Sequence, residues 1–201
     1  MSGKQQYENM SDVELVQLSL KNKDYFYYLV KRYEQKILRY IKLNKNVTPE
    51  EAEDILQDVF IKVYRNLNSF KQHLKFSSWI YRIAHNEIID HYHKNKSHKR
   101  MASLDIENED NKNLAEVISD EADLDNIYII KESADEIKKM LLKLPMKYRE
   151  VLILRYLEEK SYNEISDILR KPPGTVATLI NRAKSKLIKI AKQYGSEAND
   201  D

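Results

Sequence analysis

Seven cations, Arg170, Lys171, Arg182, Lys184, Lys186, Lys189 and Lys192, lie between residues 170 and 194, and no acid interrupts them. A segment of this kind suits a polyanion such as nucleic acid. Within it Val176, Ile180, Ala183, Leu187 and Ile190 recur at alternating spacings of four and three. That spacing predicts a helix with an apolar inner face. Ala177, Thr178, Asn181 and Arg182 are left facing outward near its start. Asparagine and arginine can each contact a base edge with two hydrogen bonds, an interaction worth roughly 1–3 kcal/mol of discrimination. Arg170, Lys171, Lys184 and Lys186 are placed for phosphates.

Other chemistries are excluded by composition. The chain has 201 residues and no cysteine, so it has no disulfide, thiolate metal site or cysteine nucleophile. Three glycines cannot supply a Walker loop or a GxGxxG turn. His85, His91, His93 and His98 lack the His-x-x-x-His spacing of a helical zinc site, and no metal or cofactor is expected. No nucleophile–base constellation stands out, so an α-helical enzyme is disfavoured. Charged residues make up 33% of the chain, and no apolar run approaches the roughly 20 residues of a membrane span. The first twelve residues, MSGKQQYENMSD, lack the apolar core of a signal peptide. A soluble, cytoplasmic protein is the expectation. The net charge of +2 hides an asymmetry. Residues 103–126 hold nine acids against the single base Lys112, whereas the C-terminal end is basic.

The elements that must position these groups are helical. Ser11 with Glu14, Thr48 with Pro49 and Glu51, and Ser161 with Glu164 form capping boxes ahead of apolar-periodic runs. Asp24 is the expected cap of a long helix through YFYYLVKRYEQKILRYIKL, and Ser77 or Ser78 of another through WIYRIAHNEIIDHYHK. After Pro49, Ile55, Val59, Val63 and Leu67 share one face, with Leu56 and Phe60 beside them. Further helical runs, 134–144 and 146–157, are split at Pro145. Ser161 then caps a short helix with Ile165, Ile168 and Leu169 inward, and Pro172-Pro173-Gly174 breaks the chain before the basic helix. Short helix, tight turn and basic second helix together make a helix-turn-helix. The fold class is all-α. It comprises two small helical domains, 1–97 and 126–195, joined by a flexible acidic linker, 98–125, with an acidic tail at 196–201.

Two motif sets carry a family resemblance. In the C-terminal half, Leu144-Pro145, Arg149, Ser161-Tyr162, Glu164-Ile165, Pro172 and Gly174-Thr175-Val176 resemble region 4 of bacterial sigma-70 family factors. In the N-terminal half, Asp54, Gln57, Asp58 and Phe60 are similar to the region 2.2 signature. Phe76, Trp79, Ile80, Ile83, Ala84, Asn86 and Asp90 are similar to regions 2.3 and 2.4. The short linker leaves no room for a helical region 3 domain, and an inhibitory region 1.1 is missing, as in the extracytoplasmic-function (ECF) subgroup.

The resemblance implies a non-enzymatic protein that binds core RNA polymerase and directs promoter-specific initiation. Asp54, Gln57 and Asp58 would dock on the β′ clamp helices, and region 4 on the β flap. Phe60 has core spacing and receives no contact. The loop 66–77 would hold a flipped base of the −10 element, with Phe76, Trp79, Arg82, Asn86, His93, Lys94 and Lys96 around that element. Packing at the junction of loop and helix is the competing role for Trp79. Lys99 and Arg100 would also attract backbone phosphates. The family usually has arginine where His93 stands, which implies a weaker or pH-dependent phosphate contact. At the −35 element the expected set is Lys171, Thr175, Ala177, Thr178, Asn181, Arg182 and Lys184. Two cations usual after Gly-Thr-Val are replaced here by Ala177 and Leu179. The acidic linker resembles a segment that threads toward the RNA exit path, where its carboxylates would mimic nucleic acid or merely solubilise. An anti-sigma factor, often membrane-anchored, is a further implied partner, and no small-molecule substrate is expected. The alternative reading is a helix-turn-helix regulator that acts without the polymerase.

Overall fold

A computed structural model describes residues 7, 9–45, 47–100 and 134–197. Among these the regular structure is entirely helical. An N-terminal group comprises α1 (Asp12–Lys21), α2 (Phe26–Asn44), α3 (Pro49–Arg65) and α4 (Phe76–Arg100). A C-terminal group comprises α5 (Ala134–Lys143), α6 (Met146–Leu152), α7 (Tyr162–Leu169) and α8 (Pro173–Glu197). The linker and tail expectations fall largely on 101–133 and 198–201, outside the described residues.

All three capping boxes form. Ser11, Thr48 and Ser161 each accept a hydrogen bond from the backbone N–H three residues on. Each glutamate in turn accepts from the cap's own N–H, at 2.8, 3.0 and 3.0 Å respectively. These bonds satisfy amide groups that the first helical turn leaves without partners. The other two predicted caps are corrected. The Asp24 N–H donates to the Asn22 side-chain oxygen at 3.0 Å, so Asn22 caps a 3₁₀ turn, Lys23–Tyr25, that feeds directly into α2. Tyr25 at the α2 entry is already in the right-handed region and has no side-chain cap. At α4 the Trp79 N–H reaches the Lys75 carbonyl at 3.2 Å, which places Ser77 and Ser78 inside the first turn.

The predicted apolar faces converge. Ile55, Val59, Val63 and Leu67 are buried with Leu15, Leu29, Ile37 and Ile41 and with the inner face of α4, Ile80, Ala84 and Ile88. In the second group Val151, Leu154, Ile165, Ile168, Val176, Ile180 and Ala183 form the interior. Leu187 and Ile190 are only half-buried, because they lie further along α8, away from α7. The split at Pro145 separates α5 from α6 as expected. A single π turn, Ile153–Leu157, then ends α6.

The two groups also pack on each other, with α7 lying against α4 and α6 against α2. Their apolar residues belong to one continuous cluster. Ile37, fully buried on α2, tests that core. Ile37→Ala should lower unfolding free energy by about 2–5 kcal/mol in urea titrations followed by circular dichroism.

Candidate nucleic-acid interface

The turn before α8 is built differently from the expectation based on glycine. Helix α7 ends on Arg170, whose φ of 52° and ψ of 45° lie in the left-handed region. The Lys171 N–H donates to the Ser166 carbonyl at 3.2 Å, and the Ser166 hydroxyl donates to the Lys171 carbonyl at 2.5 Å. The chain therefore reverses at Arg170 and Lys171. Pro173 then opens α8 at a position whose amide has no helical partner in any case, and the Pro172 carbonyl accepts the Val176 N–H at 3.1 Å. Gly174 lies in the first turn of α8 without a positive φ, and a Cβ added there would meet nothing within 4 Å. The fold of the free chain therefore places no demand on it.

Val176, Ile180 and Ala183, all fully buried, lock α8 in rotation about its axis. That rotation leaves Lys171, Thr175, Thr178, Asn181 and Arg182 exposed, with Ala177 and Lys184 half-buried beside them. The Thr178 hydroxyl donates to the Gly174 carbonyl at 2.9 Å, so its oxygen faces outward as an acceptor. The Lys184 ammonium stands 5.6 Å from the centre of the Tyr156 ring, and Lys186 lies 5.5 Å from that of Tyr148. Both lysines are thus drawn toward aromatic faces.

On α4, Arg82, Asn86 and His93 fall on one helical stripe, because intervals of four and eleven residues return to nearly the same direction. Asn86, His93 and Lys94 are exposed and Arg82 half-buried. The Lys96 side chain, with those of His98, Lys99 and Arg100, lies outside the described residues. Phe76 corrects the expectation of a −10 contact. It is 1% exposed, and its ring centre lies 5.4–5.6 Å from those of Phe70, Tyr33 and Trp79. Trp79, 9% exposed, completes this cluster, as the packing role anticipated. Neither ring presents a face on which a base could stack.

His91 and His85 have protein partners. His91 contacts the Lys45 ammonium, and burial followed by the Lys45 charge pushes its pKa down from the usual histidine range. His85 Nδ1 lies 2.5 Å from Glu150 Oε1. Among the described residues no cluster of three metal-ligating side chains occurs. No described helix is long and apolar enough to cross a membrane.

The outer face of α3 presents Asp54, Gln57 and Asp58, while Ala52, Ile55 and Val59 are buried behind them. Phe60 is half-buried, with its ring 6.4 Å from that of Phe26. The face continues through Ile61 and Tyr64, 46% and 48% exposed, which the sequence reading passed over. The signal was available, since Ile61 stands four residues after Gln57 and three after Asp58. The Lys62 ammonium pairs with the buried Glu87 and lies 3.4 Å from Asp90. Lys62 thereby ties the α3 face to the α4 stripe, which gives the signature residue Asp90 a structural partner.

Two family profiles match this chain, Sigma-70 region 2 over residues 28–98 and Sigma-70, region 4 over residues 134–187. The ECF RNA polymerase sigma factor SigW of Bacillus subtilis (strain 168) is 36% identical over 183 residues, covering 90% of this chain and 97% of that protein. The ECF RNA polymerase sigma-E factor of Escherichia coli (strain K12) is 28% identical over 181 residues, covering 90% and 94%. The fold is shared with CnrH, solved with the cytosolic domain of CnrY, at TM-score 0.64 and 21% identity over 90% of this chain and 97% of that one. It is shared also with the sigma factor RpoE, solved with the anti-sigma factor NepR from Bartonella quintana. That match has TM-score 0.66 and 20% identity over 83% and 96% of the two chains. With both regions matched in order and a relative aligned along nearly its whole length, the chain belongs to the sigma-70 family, among its ECF RNA polymerase sigma factors.

Proposed function

We propose that three exposed faces carry out this sigma factor's work. Asp54, Gln57 and Asp58 dock on the β′ clamp helices of core RNA polymerase. Arg82, Asn86, His93 and Lys94 receive the −10 element, and the outer face of α8 reads the −35 duplex. The reading rests above all on one observation, the outer face of α8, free of acids from Pro173 to Tyr194 and held in rotation by Val176, Ile180 and Ala183. Asn181 and Arg182 contact base edges, Thr178 offers an acceptor, Thr175 and Ala177 approach the backbone, and Lys171 and Lys184 neutralise phosphates.

Ile61 extends the docking face. An exposed aliphatic side chain flanked by Asp58 and Gln57 suits a partner with an apolar seat and cations at its rim. This face also favours a polymerase-dependent activity over a regulator that acts alone, because a DNA reader by itself has no use for it. The β flap would take the C-terminal group. An anti-sigma protein is a further proposed partner, supported by the solved complex of RpoE with NepR. The cytoplasm is the proposed location.

Gly174 gains a role in this setting. A glycine with open space around it costs helix stability without serving the free fold. Its bare backbone suits close approach of a DNA strand at the α8 N-terminus. Gly174→Ala should therefore leave the melting temperature unchanged or raise stability by up to about 1 kcal/mol. In the same variant −35-dependent transcription should fall.

Run-off transcription with purified core enzyme tests the whole scheme, since a regulator acting without polymerase would add no promoter-dependent transcript. Arg182→Ala should weaken promoter use by roughly 1–3 kcal/mol, read as lost −35-dependent transcript, with core binding intact. Ile61→Asp should do the reverse, reducing capture by core enzyme in gel filtration while the isolated chain keeps its helical spectrum.

A further inference from the structure

Resting on the function proposed above, we infer that the tyrosines at the entry of α2 form a stacking platform for single-stranded nucleic acid, with Tyr27 as its open ring. The melted strand at the −10 element is the occupant that fits it.

An unpaired base leaves its two faces in water, and proteins that hold single strands cover those faces with aromatic rings. The rings expected to do so here are not available, since Phe76 and Trp79 are buried in their own cluster. Among the described residues of the N-terminal group the exposed tyrosines are Tyr27, Tyr64 and Tyr92, and Tyr27, at 60%, is the most open of them.

Tyr27 is the outermost member of a set. Its ring centre lies 5.5 Å from that of Tyr28, in an edge-to-face arrangement. Tyr28 in turn lies 4.5 Å from Tyr7 and 6.4 Å from Tyr25, and Tyr7 meets Tyr25 at 5.4 Å. Four rings thus make one continuous aromatic surface, with the three inner ones half-buried. Hydrogen bonds fix the segment that carries Tyr7. Asp12 accepts from Arg32 Nη1 at 2.7 Å and from the Tyr33 hydroxyl at 2.5 Å, while Arg32 Nη2 donates to the Tyr7 carbonyl at 3.3 Å. A hydrogen bond with Tyr25 raises the Tyr7 pKa above the usual tyrosine range, so that phenol stays neutral.

Charge and position select the occupant. Residues 18–33 carry Lys21, Lys23, Lys31 and Arg32 against the single acid Asp24. Lys21, Lys23 and Lys31 are exposed, and Lys31 stands one helical turn after Tyr27 on the same face. Open rings interleaved with lysines suit a chain that alternates bases with phosphates. The platform also borders the loop 66–77. The Phe26 ring lies 5.1 Å from that of Tyr64, two residues before the loop begins. From the other side the Gln17 amide on α1 donates to the Gln72 side-chain oxygen in the loop at 3.1 Å. Residues 65–75 add Arg65, Lys71 and Lys75 and no acid. A strand held at the loop can therefore continue over Tyr64 toward Tyr27 with cations beside it.

Binding of the full-length chain to single strands tests this without polymerase. The probes are a fluorescein-labelled oligothymidine of about twelve nucleotides and an abasic strand of equal length, followed by anisotropy. Both strands carry the same phosphates, so the ratio of their affinities isolates stacking. The wild-type chain should prefer oligothymidine by about fivefold or more. Tyr27→Leu should abolish that preference while the helical spectrum is kept, and Tyr27→Phe should retain it. No preference in the wild-type chain, or the same preference in Tyr27→Leu, would overturn the inference. In the holoenzyme, Tyr27→Leu should shorten the lifetime of heparin-challenged open complexes about fivefold or more, with capture by core enzyme in gel filtration unchanged. An unchanged lifetime sinks the platform, and so does reduced capture, which would assign Tyr27 to a protein interface. Run-off transcription by the wild-type chain reports separately on the proposed function.

Discussion

A carboxylate withdrawn from water must find donors, and Glu150 finds its two on helices of the other group. That requirement sets how the two halves of the molecule meet. The Tyr40 hydroxyl is fully buried, and burial followed by the Glu150 charge raises its pKa well above the usual tyrosine range. It therefore remains a proton donor to the carboxylate. Around this node Arg149 caps α2, and the π turn brings Glu158 within reach of Arg39. Helix α7 rests on α4 beside this node.

Within each group the relation between faces is more rigid. Lys62, bonded to Glu87 on α4, keeps the outer face of α3 in register with the stripe of Arg82, Asn86 and His93. Burial pushes the Lys62 pKa down, but the hydrogen bond to Glu87 outweighs it and holds the pKa above the usual lysine range. In the second group Ile165 and Ile168 on α7 meet Val176 and Ile180 on α8, so the short helix sets the direction of the long one. Chemistry that requires precision is thus placed on outer faces of helices whose inner faces are locked by close packing.

Much of this was legible beforehand because helices are local. A Ser or Thr followed three residues later by Glu names a helix start with no long-range partner, and all three such pairs behaved accordingly. Asp24 and Ser77 misled because a neighbour competed for the same role. Asn22 took the amide of Asp24, and the Lys75 carbonyl started α4 before either serine. Of Pro172-Pro173-Gly174 only Pro172 lies in the break, because the left-handed Arg170 makes the reversal and Pro173 and Gly174 already belong to the first turn of α8. Phe76 turns inward because Tyr33 of α2 closes an aromatic cluster that Phe70 and Trp79 begin. That third ring stands more than forty positions away, so no local pattern reports it.

The sequence by itself determined the helices, the family, the basic outer face of α8 and the acidic face of α3, because these follow from periodicity and from motifs a few residues long. Only the tertiary structure decided that Arg149, Glu150 and Glu158 join the two groups. It also decided that His85 faces the Glu150 carboxylate. Such facts depend on residues more than sixty positions apart meeting across a seam, and the energy of those meetings comes from shared burial, which no single segment contains.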